Sequence, residues 1–242
     1  RELIERLGNQ VEALDQLNLA LQEAGRRLMK EREAERKALA RELHDQIIQD
    51  LLGLNYQLEE TESRLGEEEQ RREIVQIRNN IRQVVGSLRQ VCSDLRPPTI
   101  DNHGLPAAIR SHVSQWSKGS GIRVNLDLDP ELGRLPEPIE LSVFRIVQEG
   151  LRNVQKHSGA SQVTVSLART PKASLRVCLA DDGQGLEGAV DLAALAEENH
   201  FGLVGISERV SLLDGTVAFN SPPEGGLELA IEIPSPYPST TR

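Results

Sequence analysis

The sequence predicts a helical amino-terminal part followed by an α/β domain. In the first 95 residues, apolar side chains recur in steps of three and four and Tyr56 is the single aromatic residue, which is typical of long aliphatic helices. After Pro97 and Pro98, glycine and proline become frequent and short segments of alternating apolar residues appear. We therefore expect a coiled coil and a helical hairpin, followed by one sheet that carries helices on one face.

Residues 1–35 carry a heptad pattern. Its two rows contain residues at intervals of seven: Leu7, Leu14, Leu21 and Leu28, with Ile4, Val11, Asn18 and Gly25. Such a narrow and strictly repeated seam predicts a coiled coil between two copies of the chain. Asn18 lies in the second row, where a buried amide fixes the register and favours a parallel pair. One amphipathic helix that packs on its own domain is the alternative.

Residues 36–97 predict a helical hairpin. The first stripe has steps of three and four, with Gly66 as a helix stop after it: Leu39, Leu43, Ile47, Leu51, Leu54, Leu58 and Leu65. The second stripe has the same spacing and ends before two prolines: Ile74, Ile77, Ile81, Val84, Leu88, Val91 and Leu95. Two helices alone bury too little apolar surface to be stable, so we expect a second copy to complete a four-helix bundle.

Residues 98–234 form the second predicted domain. Alternating apolar residues predict four strands, at 122–128, 163–167, 175–179 and 227–233. Helical patterns lie between them, at 104–118, 138–157 and 204–213. The Pro-rich, polar segment 235–242 predicts a disordered tail.

Charge and cysteine content exclude several classes of protein. The 28 Lys and Arg against 37 Asp and Glu give a net charge of −9, which argues against a duplex-DNA binder, and we expect no direct contact with nucleic acid. Cys92 and Cys178 show no CxxC spacing, so they suggest neither a disulfide framework nor a zinc cluster and fit a reducing cytosol. No apolar run approaches the roughly 18–20 residues of a membrane span.

The predicted helix 138–157 has a polar side suited to a phosphate-bearing ligand. At 100° per residue, Glu149, Asn153, Lys156 and His157 fall on one strip, opposite the apolar side. Carboxylate and amide oxygens suit Mg²⁺, and the lysine supplies positive charge for phosphate. An ordinary solvated helix face is the alternative.

Two glycine-containing loops follow. Asp181-Asp182-Gly183-Gln184-Gly185 comes directly after a predicted strand, where a carboxylate could accept from an exocyclic amine and glycines permit close approach. Gly202-Leu203-Val204-Gly205 precedes a helix whose unpaired N–H groups can receive phosphate oxygens. The stretch 186–201 is long enough to serve as a lid. A tight turn without a ligand is the alternative for the first loop.

The order and spacing of these motifs carry a resemblance. ExxxNxxKH, DxGxG and GLVG together resemble the N, G1 and G2 boxes of the GHKL ATPases, whose ATP-binding domain is an α/β sandwich of Bergerat type. Three further phrases, LRPP at 95–98, HFGLVGISER at 200–209 and ELHDQ at 42–46, are similar to sensor histidine kinases that partner response regulators of the NarL/FixJ type. The resemblance spans about residues 36–234.

The resemblance implies roles on the phosphate side of an ATP site. Glu149 would orient water or the phosphates, and Asn153 would hold Mg²⁺. Lys156 and His157 would contact the phosphate chain.

On the base side, the resemblance implies that Asp181 binds the adenine amine. Gly183 and Gly185 would let the backbone close on the base, and Gly202 and Gly205 would frame the hinge of the lid.

Two positions depart from the pattern of the resembled family. Leu227 stands where a threonine usually follows two glycines, and Ser207 stands where a basic residue is common. Both departures are expected to change the affinity for ATP.

His44-Asp45-Gln46-Ile47-Ile48-Gln49 resembles the HDxxxQ phosphoacceptor motif of the same kinases. His44 lies about 60° from the apolar seam, within reach of solvent. Asp45 can accept the imidazole proton, which leaves the other nitrogen free to attack phosphorus. Gln49 can hold a water aimed at an aspartyl phosphate on a partner.

These features together predict the homodimeric core of a histidine kinase. Its coiled coil would transmit a signal from an upstream sensor region, which we expect because the chain starts at Arg1 within a helical pattern. The sequence leaves open whether the full-length protein is anchored to a membrane or soluble. Two alternatives also remain open at this point: a GHKL ATPase clamp without phosphohistidine, and a non-catalytic dimeric scaffold.

Overall fold

The structure, a computed structural model, describes four stretches of the chain: residues 2–171, 173–186, 201–222 and 225–234. Two compact units divide between Pro98 and Thr99. The lid expected at 186–201 lies outside the described residues except for its two ends, and the expected tail lies outside them entirely. Within the described stretches, no helix is long and apolar enough to cross a membrane.

One long helix forms most of the first unit. Helix α1 (Glu2–Glu42) continues through a π-helical segment (Leu43–Ile48) into α2 (Gln49–Arg64) without leaving helical backbone angles. We call Leu43–Ile48 the π turn. The predicted coiled coil and the first hairpin helix are therefore one helix, and an angle of 100° per residue does not hold around His44, where the turn is wider.

The hairpin turns at Leu65–Glu67. Helix α2 ends before the predicted stop at Gly66, because Leu65 already has extended angles of φ −79° and ψ 132°. Helix α3 (Glu68–Leu95) then packs against the π turn and both parts of the long helix. It ends at an extended Arg96, directly before the two prolines that were expected to stop it.

The hairpin core is apolar at one end and charged at the other. Its apolar part consists of three buried side chains and their partly buried neighbours: Ile48, Val85 and Cys92, with Leu43, Leu51, Leu52, Ile81 and Leu88. Nearer the loop, the Arg78 side chain is only 10% exposed and forms ion pairs with Glu59, at 2.9 Å, and with Glu62. These ion pairs favour the observed packing of α2 against α3, because a packing that separated Arg78 from the two carboxylates would leave a buried charge uncompensated.

A second set of apolar side chains in this unit faces solvent in the single chain. Leu7, Leu14, Leu21 and Leu28 of α1 are more than half exposed, and the hairpin adds further members at 42–50% exposure: Leu39, Ile47, Leu54, Ile77, Val84 and Val91. Contiguous exposed apolar rows of this length mark an interaction surface.

The second unit contains a five-stranded sheet in the order β1-β2-β3-β5-β4. The strands are β1 (Arg123–Leu128), β2 (Gln162–Arg169), β3 (Leu175–Asp181), β4 (Thr216–Asn220) and β5 (Glu228–Ile233). β1 and β2 are parallel, and the other neighbours are antiparallel. β4 is absent from the sequence prediction, and the other four strands lie where alternation predicted them.

Among the described residues of this unit, the helices are α4 (Pro98–Ser120), α5 (Glu137–Asn153) and α6 (Phe201–Ser211), and a π-helical segment (Val154–Ser158) extends α5. α4 is kinked at Gly104, whose φ is +78°. Buried residues of the helices and of alternate strand positions form one core, and Trp116 packs partly buried against it. The expected α/β class is thereby confirmed, with a mixed sheet.

Candidate functional site

Glu149 and Asn153 lie one turn apart at the carboxyl end of α5. The Glu149 carboxylate is 24% exposed and pairs with Arg152, whose Nη2 lies 2.7 Å from Oε1 and 2.6 Å from Oε2. The Nδ2 atom of Asn153 is buried and has no hydrogen-bond partner among the described residues. A buried amide nitrogen without a partner is uncommon, so this one is a candidate contact for a ligand.

Gly202, in the first turn of α6, lies directly against these two side chains. A Cβ added to Gly202 would lie 2.6 Å from both Glu149 Oε1 and Asn153 Oδ1. Gly202 therefore lies close to the side-chain oxygens of both Glu149 and Asn153. At Gly205 an added Cβ would meet nothing within 4 Å, so any role of that residue depends on its backbone.

We expect Gly202→Ala to lower the affinity for ATP at least tenfold, because the new methyl group must displace Glu149 or Asn153. Isothermal titration calorimetry with ATP measures the dissociation constant of each variant. Gly119→Ala in α4, where an added Cβ is unhindered, is the matched control and should bind within twofold of wild type. Equal affinities for the two variants would contradict a site at Gly202.

Lys156 and His157 lie in the π-helical extension of α5, so their predicted position on a 100° wheel does not hold beyond Asn153. Both side chains are exposed. The side chain of Gln184 donates a hydrogen bond of 2.7 Å from Nε2 to the His157 carbonyl, and its backbone N–H donates one of 2.9 Å to the Ser158 carbonyl. The first glycine loop is therefore fastened to the end of the helix that carries Glu149 and Asn153.

Asp181 ends β3 and is surrounded by glycine backbone. Its Oδ1 accepts a hydrogen bond of 2.8 Å from the Gly183 amide. A Cβ on Gly183 would overlap the Ser158 carbonyl, and one on Gly226 would overlap the Asp181 carbonyl. Gly185, at φ +70°, would meet the Gly226 carbonyl at 2.6 Å. These contacts require glycine at all three positions.

The two neighbouring aspartates differ in their surroundings. Burial raises the pKa of the Asp181 carboxyl, against the opposing effect of hydrogen bonds from the Gly183 and Leu227 amides. Hydrogen bonds from Ser161 and from the Gln162 amide lower the pKa of Asp182, whose carboxylate joins β2 to this loop. Asp182 therefore has a structural role, and Asp181 is the carboxylate available to a ligand.

In the first unit, His44 is exposed on the π turn. Its side chain is 57% exposed, and Nδ1 lies 2.9 Å from Asp45 Oδ1. A carboxylate only accepts hydrogen bonds, so in the neutral ring the proton lies on Nδ1 and the lone pair on Nε2. Gln49, the first residue of α2, is exposed as well.

Comparisons with known families add to this geometry. Residues 35–100 match the HisKA_3 family, described as "Histidine kinase", and residues 139–237 match HATPase_c, described as "Histidine kinase-, DNA gyrase B-, and HSP90-like ATPase". The chain belongs to the histidine kinase family. The resemblance drawn from its motifs is confirmed, and so is an ATPase-type domain in the second unit of this histidine kinase.

Two relatives resemble this histidine kinase over most of its length. The chain is 31% identical to the signal transduction histidine-protein kinase/phosphatase DegS of Brevibacillus brevis over 230 residues, which is 91% of this chain and 58% of the relative. It is 31% identical to the oxygen sensor histidine kinase NreB of Staphylococcus carnosus (strain TM300) over 202 residues, 84% of this chain and 57% of the relative. The chain thus spans less than three fifths of either relative.

A solved structure shares the fold of this histidine kinase. The histidine kinase domain of the blue-light activated kinase from Erythrobacter litoralis EL346 aligns with a TM-score of 0.51 at 21% identity, over 77% of this chain and 94% of that domain. At this identity, the likeness concerns the fold alone.

Three contacts at these sites have no counterpart in the sequence prediction. Arg152 pairs with Glu149, Gln184 fastens the first glycine loop, and Gly226 lies against the Asp181 backbone. The spacing of three between Glu149 and Arg152 was visible as a helical ion pair. The other two depend on contacts between segments distant in sequence.

Proposed function

We propose that this chain is the kinase core of a two-component sensor. It binds ATP in the second unit, phosphorylates His44, and passes the phosphoryl group to an aspartate of a response regulator of the NarL/FixJ type. The observation that carries the proposal is the exposed imidazole of His44 with Nδ1 held by Asp45. A clamp-type ATPase or a scaffold has no use for such a pair.

The chemistry follows from this arrangement. Nε2 of His44 attacks the γ-phosphorus of ATP, the bond to the bridging oxygen breaks, and ADP leaves with that electron pair. The ring keeps its proton on Nδ1, so phosphorylation at Nε2 makes the imidazole positive. The adjacent Asp45 carboxylate stabilises this charge, as the aspartate of a catalytic triad does for its histidine.

The proposed nucleotide site uses residues of the second unit. Asp181 accepts from the adenine amine while Gly183, Gly185 and the backbone of Gly226 close on the base. Support for this comes from the glycine contacts around Asp181 and from its burial.

On the phosphate side, Glu149 orients water or the phosphates, and Lys156 and His157 contact the phosphate chain. Gly202 and Gly205 frame the second loop. The contacts of Gly202 support this placement, because they bring the second loop against Glu149 and Asn153.

The residues present fit a magnesium ion. Asn153 would hold it, and the ion would neutralise charge on the phosphates. Among the described residues there is no group of three His, Cys, Asp or Glu that could bind a metal. Mg²⁺ commonly binds through one or two protein oxygens together with substrate phosphates and water.

Leu227 does not remove the backbone contacts at Asp181. The Asp181 amide donates to the Leu227 carbonyl at 3.1 Å, and the Leu227 amide donates to the Asp181 carboxylate. A threonine would add only its hydroxyl group to these contacts, so the expected effect of Leu227 is on the affinity for ATP rather than on its placement.

The functional form that we propose is a parallel homodimer. The exposed rows of α1 and of the hairpin would be covered by the same rows of a second copy, which forms a coiled coil and a four-helix bundle. The strict spacing of these rows and their exposure in the single chain support this.

Labelling with γ-labelled ATP tests the proposal. A phosphoramidate on histidine is lost in acid and kept in alkali, whereas a phosphoserine ester is kept in acid. We expect an acid-labile, alkali-stable label on the chain. If the chain bound ATP but acquired no label, the ATPase clamp would remain as the explanation. If it bound no ATP, the non-catalytic scaffold would remain.

We propose that Gln49 serves removal of phosphate from the regulator. Gln49→Ala should retain labelling of His44 and slow regulator dephosphorylation about tenfold, the loss of about 1.4 kcal/mol of transition-state stabilisation. An amide cannot act as a base, so it only orients water. Gln57→Ala, also exposed on α2, is the control. Lost autophosphorylation together with a normal dephosphorylation rate in Gln49→Ala would refute this role.

A further inference from the structure

One outward row of the long helix changes its spacing at the π turn. From Val11 to Leu39 its members are seven residues apart, and the three members between them, Asn18, Gly25 and Arg32, have no apolar side chain. The next apolar member is Ile47, eight residues after Leu39, and Leu54 follows seven residues later. Val11, Leu39, Ile47 and Leu54 are all exposed, by 56%, 44%, 42% and 50%. The row therefore contains one additional residue between Leu39 and Ile47.

A row of half-buried and buried residues on another face of the same helix changes in the same place. Its half-buried or buried members are Glu33, Ala40, Ile48, Asn55 and Glu62, spaced by seven, eight, seven and seven. Ile48 is 1% exposed and Asn55 is 8% exposed. Two rows on different faces of one helix thus place the additional residue in the same turn.

The π turn accounts for both changes. Its hydrogen bonds run from residue i to i+5, so it holds one residue more than an α-helical turn. Without it, every later side chain would rotate by about 100° relative to α1. An uninterrupted α-helix would place Gln46 and Gly53 in the outward row, and neither has an apolar side chain.

We propose that the π turn is a one-residue insertion that continues the surface for the second copy, from Leu39 to Ile47 and Leu54, past the phosphoacceptor His44. This inference rests on the proposed dimer and kinase. The same turn sets the angle between His44 and the part of that surface that follows it. His44 and Asp45 lie within the turn and are 57% and 75% exposed, while Ile48, at its end, is buried against α3.

Cysteine cross-linking tests the position of the surface. In a chain with Cys92 and Cys178 replaced by alanine, Leu39→Cys and Ile47→Cys should each form a disulfide-linked dimer under mild oxidation. Gln46→Cys, the matched control, should react at least tenfold more slowly, because it lies about 100° from the row. Ultracentrifugation establishes beforehand that each variant is a dimer.

The outcomes separate this inference from the proposed function. Faster cross-linking at Gln46 than at Ile47 in a stable dimer would show an uninterrupted α-helix and overturn the inference alone. A monomer in ultracentrifugation would overturn the proposed dimer and, with it, this inference.

Deletion of Gln46 tests the consequence for His44. It removes the additional residue and restores a spacing of seven from Leu39 to Ile47, so an all-α-helical dimer remains accessible. We expect dimerisation to persist and labelling of His44 from ATP to fall at least tenfold. Labelling at the wild-type rate in a dimeric deletion variant would show that the turn does not position the imidazole.

Discussion

His44→Gln is expected to abolish phosphate incorporation from γ-labelled ATP, because glutamine has no ring nitrogen to attack phosphorus. Asp45→Asn should lower the initial labelling rate at least tenfold, since a neutral amide cannot stabilise the positive ring as a carboxylate does. Both side chains are largely exposed, so neither change should disturb the hairpin core. Initial rates at saturating ATP measure the effect.

His103→Gln is the matched control for this experiment. His103 is an exposed histidine of α4, in the other compact unit and outside every motif. It should label within twofold of wild type, and all three variants should bind ATP equally in calorimetry. An acid-labile label that persists in His44→Gln would place the phosphoacceptor on another residue.

Asp181→Asn should weaken ATP binding at least tenfold and reduce labelling in proportion at low ATP. The asparagine keeps the shape but replaces one accepting oxygen with a donor, which opposes the adenine amine. Asp182→Asn is the neighbouring control. Because Asp182 is occupied by Ser161 and Gln162, its replacement should leave ATP affinity within threefold. Equal losses in both variants would refute the assignment of Asp181.

The surroundings of Asp181 also give a pH dependence. The carboxylate form must accept the amine, and burial raises the pKa of this group. ATP binding should therefore weaken as pH falls, and the loss should begin at a higher pH than for an ordinary aspartate. Calorimetry at a series of pH values measures this fall in ATP affinity. The fall assigned to the Asp181 carboxyl should be absent in Asp181→Asn.

Periodicity was enough to predict most elements of the fold. Helices with apolar residues in steps of three and four, such as α3, follow directly from the sequence because burial on one face is a local pattern. β4 was missed because Thr216–Asn220 is short and offers only Val217 and Phe219 as alternating apolar residues. The π turn was missed because a wheel of 100° per residue was assumed, although the step of eight from Leu39 to Ile47 was visible.

The candidate site was predicted as a set of residues rather than as contacts. Motif spacing could select Glu149, Asn153 and Asp181, whose roles stay predictions. It could not show that Gly202 touches the first two, because that contact joins segments about 50 residues apart. The burial of Arg78 was missed for a different reason. Arginine is seldom buried, so a pattern of apolar residues does not predict a buried arginine.

The ion pairs of Arg78 have a practical consequence for mixed dimers. They lie within one hairpin and join α2 to α3 beside a three-residue loop. Exchange of α3 between two copies would have to break this charge cluster before the same pairs could form again between the copies, so the cluster slows such an exchange. In the proposed dimer, we therefore expect copies to exchange as whole hairpins. Mixing His44→Gln dimers with Asp181→Asn dimers should give hybrids with one intact phosphoacceptor and one intact nucleotide site, on opposite chains.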